Sequence, residues 1–180
     1  LQHVVEDWIE RRLATWRDDV LAVTEHLDGL ELFATDTDGA FGEPIATLGG
    51  LGNAIEVEFG PDGFLYVADA DGAVHTIDVA DPSAPVLLTT TPTVGSARDL
   101  DFDAGQLFVA LGGDGVASYS LADPATPELI DQVVMAGSVQ GVDADGPYLA
   151  LANWTYSAIL DADTLELLAT ENVTPFPAFE

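Results

Sequence analysis

Aspartates separated by a single residue are the groups in this sequence with the most obvious capacity for chemistry. They occur in four places: Asp36/Asp38, Asp69/Asp71, Asp99/Asp101/Asp103 and Asp143/Asp145. Alternating carboxylates of this kind line calcium loops, because calcium is a hard cation that takes oxygen ligands. None of the four groups has the complete ligand spacing with a distal glutamate. We therefore interpret them mainly as turn and surface residues, with calcium as the one cofactor suggested and Asp69, Asp71, Asp143 and Asp145 as its candidate ligands.

Other catalytic arrangements are missing from the sequence pattern. The chain has no cysteine, which excludes disulfides, thiolate metal sites and cysteine nucleophiles. Its three histidines, His3, His26 and His75, do not have the spacing of a metal motif or a catalytic triad. Ser96 and Ser138 each follow a glycine, but neither lies in a Gly-x-Ser-x-Gly elbow. We predict no catalytic residue.

Trp154 is the candidate binding residue. It follows an apolar run in a segment that would face one end of a central channel, where an exposed aromatic side chain could anchor a partner. The interpretation that the sequence favours over this one is that Trp154 packs between blades. Asn153 and Asn172 each begin an Asn-x-Thr sequon, so both are candidate N-glycosylation sites and favour export of the protein.

The charge of the chain limits its partners. Its 180 residues carry a formal net charge of −28, and its four basic residues are all arginines. Such a surface repels phosphate backbones and anionic headgroups, so binding to nucleic acids and insertion into membranes are not expected. Salt at molar concentration would screen the self-repulsion. We interpret the charge as an adaptation to high salt, the alternative being an acidic protein from an ordinary habitat.

These candidate residues lie within a repeated pattern. Tyr66, Phe108 and Tyr148 occupy matching points, 42 and 40 residues apart, and the Asp-Pro-x-x-Pro segment at 81–85 returns at 123–127. A period of this size, with strand-like runs and turn signals in each copy, is typical of a β-propeller blade. Near-continuous apolar runs such as residues 64–68 fit strands that are covered on both faces. Another all-β arrangement, such as a sandwich, remains the alternative.

The predicted fold is all-β: a β-propeller segment of about four four-stranded blades. A partial blade covers residues 11–38, and further blades cover 44–81, 86–123 and 128–163, with the start of another at 165–180. Residues 1–10 are left open between a helix and a partial strand. Since propellers close at about four to eight blades, we expect an incomplete, open arc from a longer protein.

A family resemblance rests on the segments that follow the central strands. Residues 74–78, followed by Asp81, Pro82 and Pro85, resemble the LVIVD repeat, an apolar strand that ends in aspartate before an Asp-Pro segment with a second proline. Residues 116–127 repeat the pattern with Ser120 in place of the aspartate, and residues 157–164 repeat it more weakly. Residues 60–69 are also similar to a propeller blade of the NHL type, which is the alternative family.

The resemblance implies a β-propeller of an exported or cell-surface protein, without catalytic residues to carry over. Three functions remain open. The favoured one is a non-catalytic module whose loops at one end bind a protein or a glycan. The second is a hydrolase or lyase at the channel mouth, which would need convergent His, Asp and Glu side chains. The third is a purely structural segment of a large surface protein.

Overall fold

A computed structural model describes residues 14–36, 40, 42–60 and 63–172. This part of the chain forms four antiparallel sheets of four strands each, every sheet being a simple meander in chain order. Sheet 1 contains β1 (Ala14–Arg17), β2 (Val20–Thr24), β3 (Leu30–Ala34) and β4 (Ala46–Leu48). Sheet 2 contains β5 (Ala54–Phe59), β6 (Phe64–Asp69), β7 (Ala73–Asp78) and β8 (Val86–Pro92). Sheet 3 contains β9 (Asp99–Asp103), β10 (Gln106–Ala110), β11 (Val116–Ser120) and β12 (Glu128–Val133). Sheet 4 contains β13 (Val139–Asp145), β14 (Tyr148–Asn153), β15 (Tyr156–Asp161) and β16 (Leu167–Asn172).

The four sheets follow one another in an arc. The first strands of successive sheets are in contact, β1 with β5, β5 with β9 and β9 with β13, so these strands share the inner side of the arc. Across the described residues the sheets do not close into a ring. The all-β, propeller-like fold predicted from the repeat is therefore confirmed. No helix in this part of the chain is long and apolar enough to cross a membrane.

Apolar side chains between neighbouring sheets form the core. We call the side of a sheet that meets the next sheet its forward face, and the opposite side its rear face. The forward face of sheet 2, with Tyr66 and Ala68, packs on the rear face of sheet 3, with Leu107 and Val109. Tyr66 also places its ring 5.1 Å from that of Phe102. Because both faces of the middle strands are covered, successive residues are buried, which explains the near-continuous apolar runs in the sequence.

The predicted blades begin one strand too early. The blades predicted at residues 44–81, 86–123 and 128–163 each open with a segment of the preceding sheet, because β4, β8 and β12 are each the fourth strand of that sheet. The further blade predicted to start at 165–180 overlaps β16, which pairs with β15 in sheet 4. Sheet 1 likewise has four strands and is not partial. A periodic sequence shows its repeat length but not its phase, because turn signals between strands of one sheet resemble those between sheets.

The Asp-Pro segments connect the third and fourth strands of a sheet. Asp81 Oδ1 accepts hydrogen bonds from the Ser83 amide at 3.0 Å and from its hydroxyl at 2.7 Å, in the connection between β7 and β8. Asp123 accepts from the Ala125 amide at 3.1 Å in the equivalent connection of sheet 3. An aspartate that bonds the backbone two residues ahead initiates a turn. These residues therefore have a structural role.

The structure corrects one match between the repeats. Tyr148 is not at the position equivalent to Tyr66 and Phe108. Cross-strand pairing joins Tyr66 to Thr76 and Phe108 to Ser118, and the matching pair in sheet 4 joins Ala150 to Ile159. The sequence match of aromatic residues was therefore two positions out of register.

Residues 1–10, whose structure the sequence left open, lie outside the described residues.

Candidate binding face

Seven of the connections between the described strands lie at one end of the arc. Because adjacent strands are antiparallel, the loops that follow β2, β6, β10 and β14 lie at the same end as those that precede β5, β9 and β13. We call this the loop end. It consists of residues 25–29, 49–53, 70–72, 93–98, 111–115, 134–138 and 154–155. The glycines Gly29, Gly52, Gly72, Gly112, Gly115 and Gly137 supply positive φ angles in these loops.

The four most exposed large apolar side chains among the described residues all lie at the loop end. Leu27 is 77% exposed, Val94 73%, Val134 70% and Trp154 76%. The backbone of Trp154 is held in place, since its amide donates to the Ser138 carbonyl at 3.2 Å. Trp154 therefore does not pack between blades, and the interpretation that the sequence favoured is wrong. Its role in binding stays a prediction.

Asp69 of the first candidate cation pair is a buried loop anchor. Its Oδ1 accepts hydrogen bonds from the amides of Asn53 at 2.9 Å and Asp71 at 2.8 Å. Its carboxylate packs so closely on Gly52 that a Cβ there would clash. Asp71 is exposed and contributes its amide to the anchor. Because protein donors use the Asp69 carboxylate, this pair is arranged as a turn, and calcium binding here stays a prediction.

His75 extends this anchor across sheet 2. The buried imidazole has Nε2 3.3 Å from Asp69 Oδ2 and 3.1 Å from the Leu51 carbonyl, and Nδ1 3.0 Å from Thr90 Oγ1. The network joins β6, β7 and β8 to the loop that precedes β5. Sequence spacing gave no sign of it, because its members are up to 39 residues apart and meet only through strand pairing.

Asn153 occupies the position of Asp69 in sheet 4. Its Oδ1 accepts from the amides of Ser138 and Thr155, both at 3.3 Å, and its Nδ2 donates to the Ala136 carbonyl at 2.9 Å. The side chain is buried, so a glycan on Nδ2 would have to displace the residues that cover it. Asn172, in contrast, is exposed at the end of β16. Glycosylation of either residue stays a prediction.

Carboxylates line the inner strands of the arc and join two of them. The Val142 amide donates to Asp99 Oδ2 at 2.9 Å, and the Ala144 amide donates to Asp101 Oδ2 at 2.7 Å. Both bonds run from β13 to β9, across the junction of sheets 3 and 4. Asp143 and Asp145, the second candidate cation pair, are exposed on β13. Within the described ranges, no three His, Asp or Glu side chains are grouped so that they could hold a metal ion.

Burial and neighbouring negative charges raise the pKa values of three carboxylates on the inner strands. Burial raises the pKa of Glu56 to about 7, and the negative charge of Asp99 adds to the effect. Burial also raises the pKa of Glu58, with contributions from Asp101 and Asp99, although a hydrogen bond from Thr15 opposes the change. The pKa of Asp99 is raised by burial, against the effect of its hydrogen bond from the Val142 amide. Low-dielectric surroundings and like charges both disfavour the ionised form.

Comparison with known proteins supports the repeat and the fold. The family model of the LVIVD repeat matches residues 61–93, which include β6, β7 and β8. The resemblance seen in the sequence is therefore confirmed for this part of the chain. A search of curated proteins finds no match.

Two solved structures have a similar fold. One is the computationally designed Ika8 protein, with a TM-score of 0.71 at 13% identity over 88% of this chain and 48% of that chain. The other is a functionally unknown protein from Desulfotomaculum acetoxidans DSM 771, with a TM-score of 0.74 at 11% identity over 84% of this chain and 53% of that chain. This chain thus spans about half the length of either structure. At these identities the likeness concerns the fold alone.

Proposed function

We propose that this chain is a non-catalytic β-propeller repeat module that serves as a protein- or glycan-interaction scaffold in an exported or cell-surface protein. The LVIVD match and the four sheets support the repeat module. The interaction role rests on one observation, the position of Leu27, Val94, Val134 and Trp154 together at the loop end. Export is supported by the two sequons and by the family resemblance.

The physical argument concerns where apolar surface is exposed. Single exposed apolar residues are ordinary on a protein surface. Among the described residues, the large apolar side chains that are more than two thirds exposed all lie at the loop end. Large apolar side chains on the outer strands, such as Leu129 and Leu167, are less exposed. Loops on a rigid sheet scaffold are common binding elements, and tryptophan is among the residues that dominate binding energy when a partner covers them.

The charge of the chain restricts the partner further. With a net charge of −28, the module repels acidic proteins and nucleic acids at low salt. A neutral glycan or a protein with a basic rim fits this surface better. Both occupants can cover the flat, exposed indole of Trp154.

A binding survey with matched variants tests the proposal. The wild-type chain is applied to a glycan array and to a display library of surface-protein domains, next to Trp154→Ala, Val94→Ser and Leu129→Ser. Leu129 is an exposed residue on β12, away from the loop end. We expect at least one ligand whose affinity falls about tenfold in Trp154→Ala or Val94→Ser and stays within twofold in Leu129→Ser. If binding is equal in all three variants, or no ligand binds, a purely structural role is the better interpretation.

A second candidate function has one observation in its favour. Glu56, whose pKa is raised to about 7, lies beside the inner-strand carboxylate Asp99, and a carboxylic acid that keeps its proton near neutral pH can serve as the general acid of a hydrolase or lyase. Incubation with a panel of polysaccharides and esters tests this alternative. It requires turnover that disappears in Glu56→Gln and persists in Glu171→Gln, a substitution of an exposed carboxylate on β16.

A further inference from the structure

Among the described residues, no element covers the forward face of sheet 4, although the same face is buried in the preceding sheets. Strand pairing identifies the equivalent positions. In sheet 2 they are Tyr66, Ala68, Val74 and Thr76; in sheet 3 they are Phe108, Ala110, Val116 and Ser118; in sheet 4 they are Ala150, Ala152, Ser157 and Ile159. All eight residues in sheets 2 and 3 are buried against the following sheet. In sheet 4, Ala152 and Ser157 are exposed, and Ala150 and Ile159 are only half-buried.

Asp143 presents an exposed hydrogen-bond acceptor at this face. Asp101 on β9 accepts the Ala144 amide from the inner strand of the next sheet. The equivalent residue on β13 is Asp143, because Asp101 pairs with Phe108 and Asp143 pairs with Ala150. Asp143 is exposed. The inner strand of sheet 4 therefore presents the carboxylate that, one sheet earlier, binds the backbone of the following sheet.

The third feature is a backbone hydrogen bond between sheets, for which Trp154 holds the equivalent position in sheet 4. The hairpin after the second strand bridges to the next sheet at two junctions, where the Ala54 amide donates to the His26 carbonyl at 3.1 Å and the Val139 amide donates to the Gly112 carbonyl at 2.9 Å. By the same strand register, Trp154 is the equivalent of His26 and Gly112 in sheet 4. Its exposed position lies at the edge of the forward face.

We propose that the forward face of sheet 4 is the docking face for a fifth four-stranded sheet of the same repeat, carried on the same polypeptide. This inference does not rest on the proposed function. Three observations carry it together: the apolar face, the exposed carboxylate of Asp143 and the bridging position of Trp154. Each matches a contact that the following sheet makes at an earlier junction. The two similar solved structures, of which this chain covers 48% and 53%, are long enough for such a continuation.

The shape of the face agrees with such a sheet. A cavity of about 420 Å³ lies over it, lined by Asp99, Asp143, Ala150, Ala152 and Ile159 among others. Alanine at position 150, where sheets 2 and 3 carry Tyr66 and Phe108, leaves the extra room. Rear faces in this chain present leucine at the facing position, as in Leu65, Leu107 and Leu149. Large apolar side chains of this kind would fill the cavity.

A second copy of the chain is a poorer occupant. A head-to-tail contact would need the rear face of sheet 1, but Leu21, Val23 and Phe33 on that face are already buried. Two copies would also bring together net charges of −28 each. A sheet joined in the same polypeptide does not need the rear face of sheet 1, because it brings a rear face of its own, and its covalent connection gives it a high effective concentration.

Thiol labelling tests the proposal, since the chain has no cysteine of its own. Ala152→Cys probes the face, and Leu129→Cys on the outer strand β12 is the control. Each is made in the 180-residue chain and in two extended chains, in which a copy of residues 134–172 or of residues 92–133 follows Asn172. We expect Ala152→Cys to react at least tenfold more slowly in an extended chain, whereas Leu129→Cys reacts equally in all three.

Two outcomes would overturn the proposal. One is unchanged labelling of Ala152→Cys in both extended chains, with circular dichroism reporting whether the added strands have formed. The other is protection of Ala152→Cys in the 180-residue chain that grows with protein concentration and accompanies a dimer in light scattering, since a second copy would then be the occupant. Ligand binding at Val94 is measured separately, so failure here and failure of the proposed function are distinguishable.

Discussion

The Oδ2 atom of Asp69 lies 3.3 Å from Nε2 of His75, which ties the end of β6 to the middle of β7 inside sheet 2. The same carboxylate accepts the amides of Asn53 and Asp71. A residue that looked in the sequence like half of a calcium loop is therefore the acceptor that organises a loop and orients a buried histidine. Buried polar groups are expensive to leave without partners, so this network should contribute measurably to stability.

We expect Asp69→Ala to lower the free energy of unfolding by about 3 kcal/mol, because it leaves the amides of Asn53 and Asp71 without their acceptor and removes one partner of the His75 imidazole. Asp71→Ala should change it by less than about 0.5 kcal/mol, because that side chain is exposed. Denaturant titrations of both variants measure the difference. The same titrations with millimolar calcium at constant ionic strength complete the test. Equal losses in the two variants, together with a calcium-dependent gain in the wild type, would instead indicate a cation held by both residues.

Stability should depend on pH through Glu56. Its pKa is about 7 in the folded chain and 4.5 in the absence of the fold, so the folded state binds the proton more tightly. The stabilisation is complete below about pH 4.5 and is lost as the pH rises to about 7, a change on the order of 2–3 kcal/mol. Glu58 and Asp99 shift in the same direction and should broaden the transition.

Glu56→Gln should remove most of this dependence and should be more stable than the wild type at pH 8. Thermal or denaturant unfolding between pH 4.5 and 8 measures it. Glu171→Gln, which neutralises an exposed carboxylate on β16, serves as the control and should keep the wild-type slope. A Glu56→Gln variant that follows the wild-type curve would show that Glu56 titrates normally.

Salt should stabilise the fold. With a net charge of −28, repulsion between carboxylates opposes the compact state, and the Debye length falls from about 10 Å at 0.1 M salt to about 3 Å at 1 M. We expect a higher Tm in molar sodium chloride than at 0.1 M. Scanning calorimetry at both concentrations, with sucrose as an uncharged cosolute control, makes the comparison. Identical Tm values would remove the interpretation of the charge as an adaptation to high salt.

The two sequons should differ in occupancy. Asn153 is buried, and its Nδ2 already donates to the Ala136 carbonyl, whereas Asn172 is exposed. When the chain is produced through a glycosylating secretory pathway, we expect folded, secreted protein to carry a glycan on Asn172 and not on Asn153. Glycopeptide mass spectrometry measures both sites. A folded product with Asn153 fully glycosylated would contradict the burial of that residue.

Much of the architecture could be predicted from local sequence. The blades predicted at residues 44–81, 86–123 and 128–163 each contain the first three strands of one sheet, and the LVIVD-like segment coincides with the family match. Such features can be predicted because strand propensity, apolar runs and turn residues act over a few positions. The position of Trp154 directly after an apolar run is also visible in the sequence, whereas its role in binding stays a prediction.

What the sequence determined by itself is the repeat: its length, its strands and the charge of its surface. Tertiary structure alone decided which strands share a sheet. It decided that Ala150, and not Tyr148, is the equivalent of Tyr66 and Phe108 in sheet 4. It also decided that Asp99 and Asp101 accept hydrogen bonds from the backbone of β13. It also decided that Asp69 serves His75 and that Trp154 faces solvent. Every one of these depends on which residues distant in the chain become neighbours. Pairing register and sheet order set those neighbours, and neither leaves a local trace in the order of the amino acids.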